Sequence, residues 1–339
     1  VRAFRSWAPT RRLGHWSRRS GAAWPLLAGF AALVLLLEAG FELVDAAHLL
    51  IPRQWPTPYL GQCLDLLLHL GVIGFMLALV ERLFPGSASP KRYLQALWFW
   101  AWYIPVAVWC GNAVHDFVTR HGIEPLLSVG LADLRLENPW QTVAGAALVL
   151  LGAIVLDFFV YWFHRMQHAV PLLWAFHSTH HANRSLNGVG SYHHPLEDVL
   201  RIPFMMLPLA LTIEIEAPQL AFVSAFVATW GFVNHMDTHL HFGPLLRNVF
   251  ADPWYHRVHH SLATEHYDKN FAGTFSLWDR LFGTQVLPPA DAHQLPVGLV
   301  DVPHPEGLRD YLFTPLRVLS RRLRPAKADA TDEALGKSH

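Results

Sequence analysis

Ten histidines at helical spacing constrain this chain more than any other feature. They fall in four clusters. "HRMQH" holds His164 and His168, and "HSTHH" holds His177, His180 and His181. "NHMDTH" holds His235 and His239, and "HRVHH" holds His256, His259 and His260. On a helix, residues three and four apart share a face, so each cluster aims two or three imidazoles at one point. Gathering polar rings without partners costs free energy, so such a fold needs something to receive their lone pairs. A lone HxxxH pair ordinarily binds nothing. Four clusters in one segment point instead to metal, and 14 of the 22 histidines lie between 164 and 266. A structural zinc site takes about four ligands; ten imidazoles suit two ions with open positions. The histidines at 15, 48, 69, 115, 121, 293, 304 and 339 read as loop, surface or polar helix positions, and His241 and His266 stay open.

Imidazole suits zinc, copper, iron and nickel alike, so ligand type alone does not choose the ion. The two cysteines, Cys63 and Cys110, lie far apart in apolar segments, which argues against a disulfide framework or a cysteine-held cluster. There is little carboxylate to match the Glu-x-x-His pattern of soluble di-iron bundles. A histidine-only dinuclear site in an apolar chain suggests iron-dependent oxygen chemistry.

The surroundings are those of a membrane protein. Charged residues make up 15% and hydrophobic residues 52%, against about a quarter charged in soluble domains. The formal net charge is zero, which gives no reason to expect nucleic acid. Residues 1–23 form a basic arm with six arginines and no acid. Apolar segments follow at 24–44, 59–80, 94–114 and 139–163, each near the roughly 20 residues that a spanning helix needs. Glu38, Glu42, Asp65, His69 and Pro105 interrupt three of them. The first, lacking a clear small-residue cleavage site, reads as an uncleaved membrane helix. Residues 202–233, broken by Pro203, Pro208, Glu214, Glu216 and Pro218, read as a hairpin of two short helices that dips into the bilayer. Basic residues in short loops put the N-terminus, the loop 81–93, the histidine-rich half and the tail "RRLRPAK" on the cytoplasmic side. The expected fold is thus an all-α membrane protein with about four transmembrane helices, a re-entrant or interfacial helical hairpin and a cytosolic histidine-rich helical cap. Its parts are the arm at 1–23, variable membrane helices at 24–140, a catalytic domain at 141–288 and a tail at 289–339 with a disordered end.

From about 145 to 286 the chain resembles the fatty acid hydroxylase/sterol desaturase superfamily of integral membrane non-haem di-iron enzymes. The resemblance rests on "HRMQHAVPLLWAFHSTHH", "HHPLED" (193–198), "HMDTHLHFGPL" (235–245), "HRVHH" and "NFAGTFSLWDRLFGT" (270–284). It implies that all ten clustered histidines ligate metal. The family's His-Pro-Leu-Glu element falls on His194–Glu197, with Tyr192 where the family has arginine. Second-sphere candidates are Asp157, His194 and Asp237, since metal-bound imidazoles commonly donate their outer N–H to a carboxylate or carbonyl. Trp174, Phe176, Trp254, Tyr255 and Trp278 read as packing residues.

The resemblance further implies two Fe ions, with zinc as a replacement in purified protein, and O2 as co-substrate. The reaction would be hydroxylation or desaturation of an unactivated C–H bond in a sterol, fatty acyl chain, sphingolipid, carotenoid or hopanoid-like lipid. No haem, flavin or nicotinamide motif is present, so electrons would come from a ferredoxin- or cytochrome-type donor with an NAD(P)H reductase. Two alternatives stand beside this. One is an ether-lipid monooxygenase with the same iron site, whose first box more often runs HR-x-x-HE, whereas Ala169 follows His168 here. The other is a metal-binding or transport protein without catalysis, although transporters place ligands near the bilayer midplane and these clusters follow the last long apolar segment.

Overall fold

The computed structural model describes residues 58–87, 92–129, 139–215 and 217–323. The basic arm, the apolar segment 24–44 and the end of the tail lie outside the described residues. What is described is helical, in keeping with the apolar runs and the 3.6-residue spacing of the histidines.

Two long helices lead. α1 (Pro58–Leu83) is the helix, among the described residues, that is long and apolar enough to cross a membrane by length and composition. α2 (Tyr93–Arg120) keeps Pro105 inside it. Proline removes an N–H from the helix ladder, and the carbonyl of Pro105 accepts a 2.6 Å hydrogen bond from the Tyr59 hydroxyl of α1.

α3 (Pro139–Ala169) runs unbroken from the apolar segment through "HRMQH". His164 and His168 therefore sit on the end of a long helix. Val170 is extended and Pro171 opens α4 (Pro171–His181) at its first turn. Proline is pre-set for that position and forces its predecessor out of helix. Pro171 thus separates the first two histidine faces so that both turn inward.

A loop stitched by Asn183 and Asn187, whose side-chain oxygens accept from the N–H groups of Ser185 and Val189, leads to α5 (Pro195–Arg201). The chain continues through a π turn at Ile202–Met206 into α6 (Leu207–Thr212). Pro203 and Pro208 lie in this stretch and lack donors, so a widened turn is the natural accommodation. β2 (Ile213–Ile215) breaks the helix before α7 (Ala217–Asn234). The region expected as a helical hairpin thus holds two helices, α6 and α7, with a strand between them. The break departs from a purely helical fold: β2 pairs in parallel with β1 (Leu127–Val129), Leu127 opposite Ile213. The short ladder gives partners to backbone groups left over at the ends of the helices.

Beyond α7 the chain is mostly loop, punctuated by α8 (Pro253–His259), α9 (Leu277–Leu281) and α10 (Leu308–Leu323). Asp252 caps α8, its carboxylate accepting from the Tyr255 N–H at 2.8 Å, a contact worth about 1 kcal/mol.

The main core joins α1 and α2 to the loop after α4 and to α10. Ile73, Leu77, Phe99, Trp100, Val189, Tyr192, Val233 and Tyr311 pack together. The Phe99 and Tyr311 rings stack 4.3 Å apart, and the Trp100 indole donates to the Val189 carbonyl at 2.9 Å. The loop approaches α1 so closely that a Cβ on Gly188 would stand 2.7 Å from the Leu77 Cβ. Glu81, buried on α1, clamps the same region: its carboxylate accepts from the N–H groups of Gly188 and Asp237 and from the Tyr93 hydroxyl. α1 is thereby tied to both segments that lead into the histidines.

Candidate metal centre

Nine of the ten expected histidines converge, in two groups. His164 and His168 from α3, His177 and His181 from α4 and His259 from α8 form one; His180, His235, His256 and His260 form the other. Within each group the nearest ring nitrogens all lie within 4.8 Å of one another. The local reason is the spacing in "HSTHH" and "HRVHH". In each, one histidine serves the first group (His181, His259) and its sequence neighbour serves the second (His180, His260). One turn of α4 and the end of α8 thus feed both groups, and the groups lie side by side: the His181 and His260 rings stack 4.4 Å apart.

The inner nitrogens meet as ligands of an ion do. The Nε2 atoms of His168 and His181 are 3.1 Å apart, as are those of His259 and His181. The same separation links His180 to His235, His235 to His256 and His256 to His260. Two imidazoles held at about 2.0–2.1 Å from one ion have their nitrogens roughly 3 Å apart.

The outer nitrogens decide the protonation of several rings. The Nδ1–H of His180 donates to the Tyr192 carbonyl at 3.0 Å, and that of His235 to the Gly231 carbonyl at 2.6 Å. His164 and His259 donate to the carbonyls of Phe271 and Lys269, both at 2.7 Å. A carbonyl only accepts, so each neutral ring carries its proton on Nδ1 and presents a bare lone pair at Nε2. Two bare lone pairs 3.1 Å apart, as in His180 and His235, repel unless a cation lies between them. The residues present therefore fit a metal ion in each group.

Burial reinforces this. It is the main reason that the pKa values of His164, His180, His181, His256, His259 and His260 fall well below the usual 6.5, and the neighbouring imidazoles add to the effect. Burial also pushes His177 down to about 4 and His235 to about 3. The rings are neutral at physiological pH, which is the state that binds metal.

The carbonyls that orient His164 and His259 belong to a loop built by the closing motif. Asp279 accepts from the N–H groups of Phe271 and Ala272, each at 2.8 Å, from the Thr284 hydroxyl at 2.6 Å and from the Tyr255 hydroxyl at 3.1 Å. Asn270 adds three bonds, to the Tyr255 carbonyl and to both backbone groups of Val286. Asp268 and Asn270 sit at φ 56, a left-handed conformation that their short polar side chains tolerate better than others. "NFAGTFSLWDRLFGT" thus supplies no ligand; it shapes the backbone that aims two of them.

Other expected residues lie elsewhere. His239 is exposed; its Nδ1–H donates to the Pro85 carbonyl at 3.0 Å and its ring meets Phe84 edge-on. After α7 ends at Asn234 the chain is no longer helical, so the i, i+4 spacing of His235 and His239 does not put them on one face. Asp157 takes the N–H groups of Thr274 and Phe275, both at 2.8 Å, and so anchors the closing loop to α3 without touching a histidine. Asp237 accepts from Ser87 and from the Arg257 guanidinium. His194 caps α5, accepting from the Leu196 N–H at 3.1 Å, while its Nε2 faces the Leu312 carbonyl.

Three side chains that the sequence reading gave no role at the site stand against the groups. Asp268 lies 3.3 Å from the His168 Nδ1. Glu197, fully buried, lies 3.5 Å from the His177 Nδ1 and 2.8 Å from the His193 Nδ1. The His193 ring stacks on His180, centroids 4.1 Å apart and nearly parallel. Glu197 stood in view in the His-Pro-Leu-Glu element; His193 and Asp268 carried no periodic signal.

On a helical frame, two adjoining imidazole groups with converging lone pairs form a largely buried, all-nitrogen donor set that could hold metal ions. Residues 149–284, which hold all nine of these histidines, match the fatty acid hydroxylase family. This segment is similar to a fatty acid hydroxylase domain. Among curated relatives, the alkylglycerol monooxygenases of Xenopus tropicalis and Homo sapiens are each 34% identical over 157 and 156 residues, respectively 44% and 45% of this chain and 32% of each relative. Ornithine lipid hydroxylase OlsE of Rhizobium tropici is 31% identical over 196 residues, 52% of this chain and 57% of that protein. The chain thus spans about a third of the length of the monooxygenases it matches. No solved structure matches.

Proposed function

We propose that the chain is a membrane-bound, O2-dependent lipid hydroxylase with two iron ions, one in each imidazole group. The observation that carries this reading is the pairing of bare Nε2 lone pairs 3.1 Å apart, on His180 and His235 in particular. Bound iron would supply the oxygen activation needed to insert an oxygen atom into an unactivated C–H bond. The overall change is balanced when one oxygen atom of O2 enters the C–H bond and the other leaves as water, using two protons and two electrons from an external donor.

The chain's own residues do the rest. His164, His168, His177, His181 and His259 would hold one ion; His180, His235, His256 and His260 would hold the other. Backbone carbonyls fix the tautomers of four of these rings. Trp174 and Phe271, each with its ring centre 5.0 Å from that of His168, exclude water from that flank. The acceptor is lipophilic. α1 exposes Leu66, Phe75 and Leu79, and α2 exposes Trp98, Trp102 and Trp109. Apolar surface on this scale suits contact with lipid. We read four crossings, at 24–44, 59–80, 94–114 and 139–163, with the histidine centre on the cytoplasmic side, where the basic loops lie.

Ether lipids are the second substrate reading, favoured by the 34% identity to alkylglycerol monooxygenases. Comparative lipidomics decides between the two. Cells with the gene are compared with cells lacking it and with cells carrying His180→Ala. A gain of one oxygen in a lipid, dependent on O2 and lost in His180→Ala, supports hydroxylation. Loss of alkylglycerol ethers in place of a stable oxygenated lipid favours the ether reading. No O2-dependent change in any lipid overturns both.

A further inference from the structure

Glu197 occupies an unusual position between the two imidazole groups. It comes from the first turn of α5 and is 1% exposed. Its Oε1 accepts from the Gln167 amide at 2.5 Å and lies 2.8 Å from the His193 Nδ1, 3.5 Å from the His177 Nδ1 and 3.7 Å from the Arg201 guanidinium. Its Oε2 is buried without a hydrogen-bond partner, as are both nitrogens of His177 and the Nδ1 of His193, which meets Oε1 by ion-pair distance alone. Four of the other grouped histidines donate their outer N–H to a carbonyl, and His168 faces Asp268. His177 has only this carboxylate to face.

His193 carries the same carboxylate to the second group. Its ring lies nearly parallel on His180 at 4.1 Å and also 5.5 Å from His177. His177, His193 and Glu197 could themselves be taken for a third ion site, since their ligand atoms lie within 4.8 Å of one another. The Arg201 guanidinium argues otherwise. It already pairs with Asp198 at 2.8 Å and stands beside Glu197. A fixed positive charge there repels a cation, and the Gln167 amide already fills one lone pair of Glu197.

We propose that Glu197 and His193 are positioning residues that set both imidazole groups at once. Glu197 faces the Nδ1 atoms of His177 at 3.5 Å and of His193 at 2.8 Å, and the His193 ring lies against the face of His180. A carboxylate behind a ligating imidazole orients the ring and raises its basicity, and loss of such a partner typically costs about 10–100-fold in metal affinity or activity. This inference rests on the reading of the two groups as metal sites.

The test uses the full chain in detergent, loaded with cobalt(II) or iron(II). Bound metal is measured by elemental analysis, release by a chelator competition, and ligand geometry by the visible spectrum of the cobalt form. Glu197→Gln is expected to release metal about 10–100-fold faster and to shift the cobalt bands. Glu197→Asp should recover part of both. His193→Phe keeps a stacked ring but loses the contact with Glu197, and should speed release by a smaller factor. Ile73→Ala, a cavity in the apolar core, controls for general loosening. The proposal is overturned if Glu197→Gln releases metal at the wild-type rate with an unchanged spectrum. It is equally overturned if Ile73→Ala, at matched stability, reproduces the effect. Wild-type protein that holds no metal would instead overturn the metal-centre reading itself.

Discussion

His180 and His235, 55 residues apart in the chain, face each other through unprotonated nitrogens 3.1 Å apart, because each spends its only N–H on a backbone carbonyl. A protein without a cation in that position holds two repelling lone pairs together. Removing metal from the loaded protein should therefore lower its melting temperature by several degrees, and adding metal back should restore it. A ligand that binds only the folded state stabilises by about 2.7 kcal/mol at a hundred times its dissociation constant. Thermal melts of the detergent-solubilised protein with and without chelator check this; identical melts would count against ligation.

His235 and His239 share a sequence motif and should differ in effect. His235→Ala removes a member of the second group and should cost most of the metal held there. His239→Ala removes an exposed ring bonded to the Pro85 carbonyl, and should leave metal content and lipid turnover within about twofold, as surface changes usually do. Elemental analysis of the two purified variants distinguishes them. Equal metal loss in both would show that His239 joins the centre.

Asp279 holds four donors from three separate segments. Asp279→Asn presents an N–H₂ to groups that need an acceptor. The expected cost is about 2–4 kcal/mol, since bonds to charged groups are worth about 1.5–3 kcal/mol and a buried donor left unpaired costs a further 1–3. Because the carbonyls of Lys269 and Phe271 move with this loop, metal should also be held less tightly in the first group. Chemical denaturation together with chelator competition measures both; loss of stability with wild-type metal affinity would separate the loop from ligand orientation.

Acid should destabilise the metal-free protein through its buried imidazoles. Burial holds His177 at about 4 and His235 at about 3 in the folded state, whereas an unfolded imidazole titrates near 6.5. Below about pH 6.5 the unfolded chain therefore binds more protons than the folded one, and stability falls as pH falls. The contribution from these rings is fully present above that pH and is lost down to about 4 for His177 and 3 for His235. Loaded protein should lose metal in the same direction, as protons compete for Nε2. Denaturation midpoints between pH 8 and pH 5 check the sign; a flat profile across pH 6 would contradict it.

The sequence by itself determined which residue types gather and on which local elements. Helical spacing pairs His164 with His168 and places His177, His180 and His181 on one short helix, because neighbours three and four apart share a face whatever surrounds them. Pro171 separates α3 from α4 for an equally local reason, since its ring is pre-set for the first turn of α4. Only the tertiary structure decided the division of the histidines between two groups, with His180 and His181 going to opposite ones. That division depends on how α7 and α8 approach α4. It also sets His239 apart from both groups, because the helical spacing no longer applies once α7 has ended at Asn234. Asp157 and Asp237, plausible partners by chemistry and position, proved to hold the loops at 274–275 and at Ser87 and Arg257 instead. The partners that do orient the rings are mostly backbone carbonyls, at Gly231, Lys269, Phe271 and Tyr192. Every residue carries a carbonyl, so no side-chain pattern marks the ones that long-range packing turns toward a histidine.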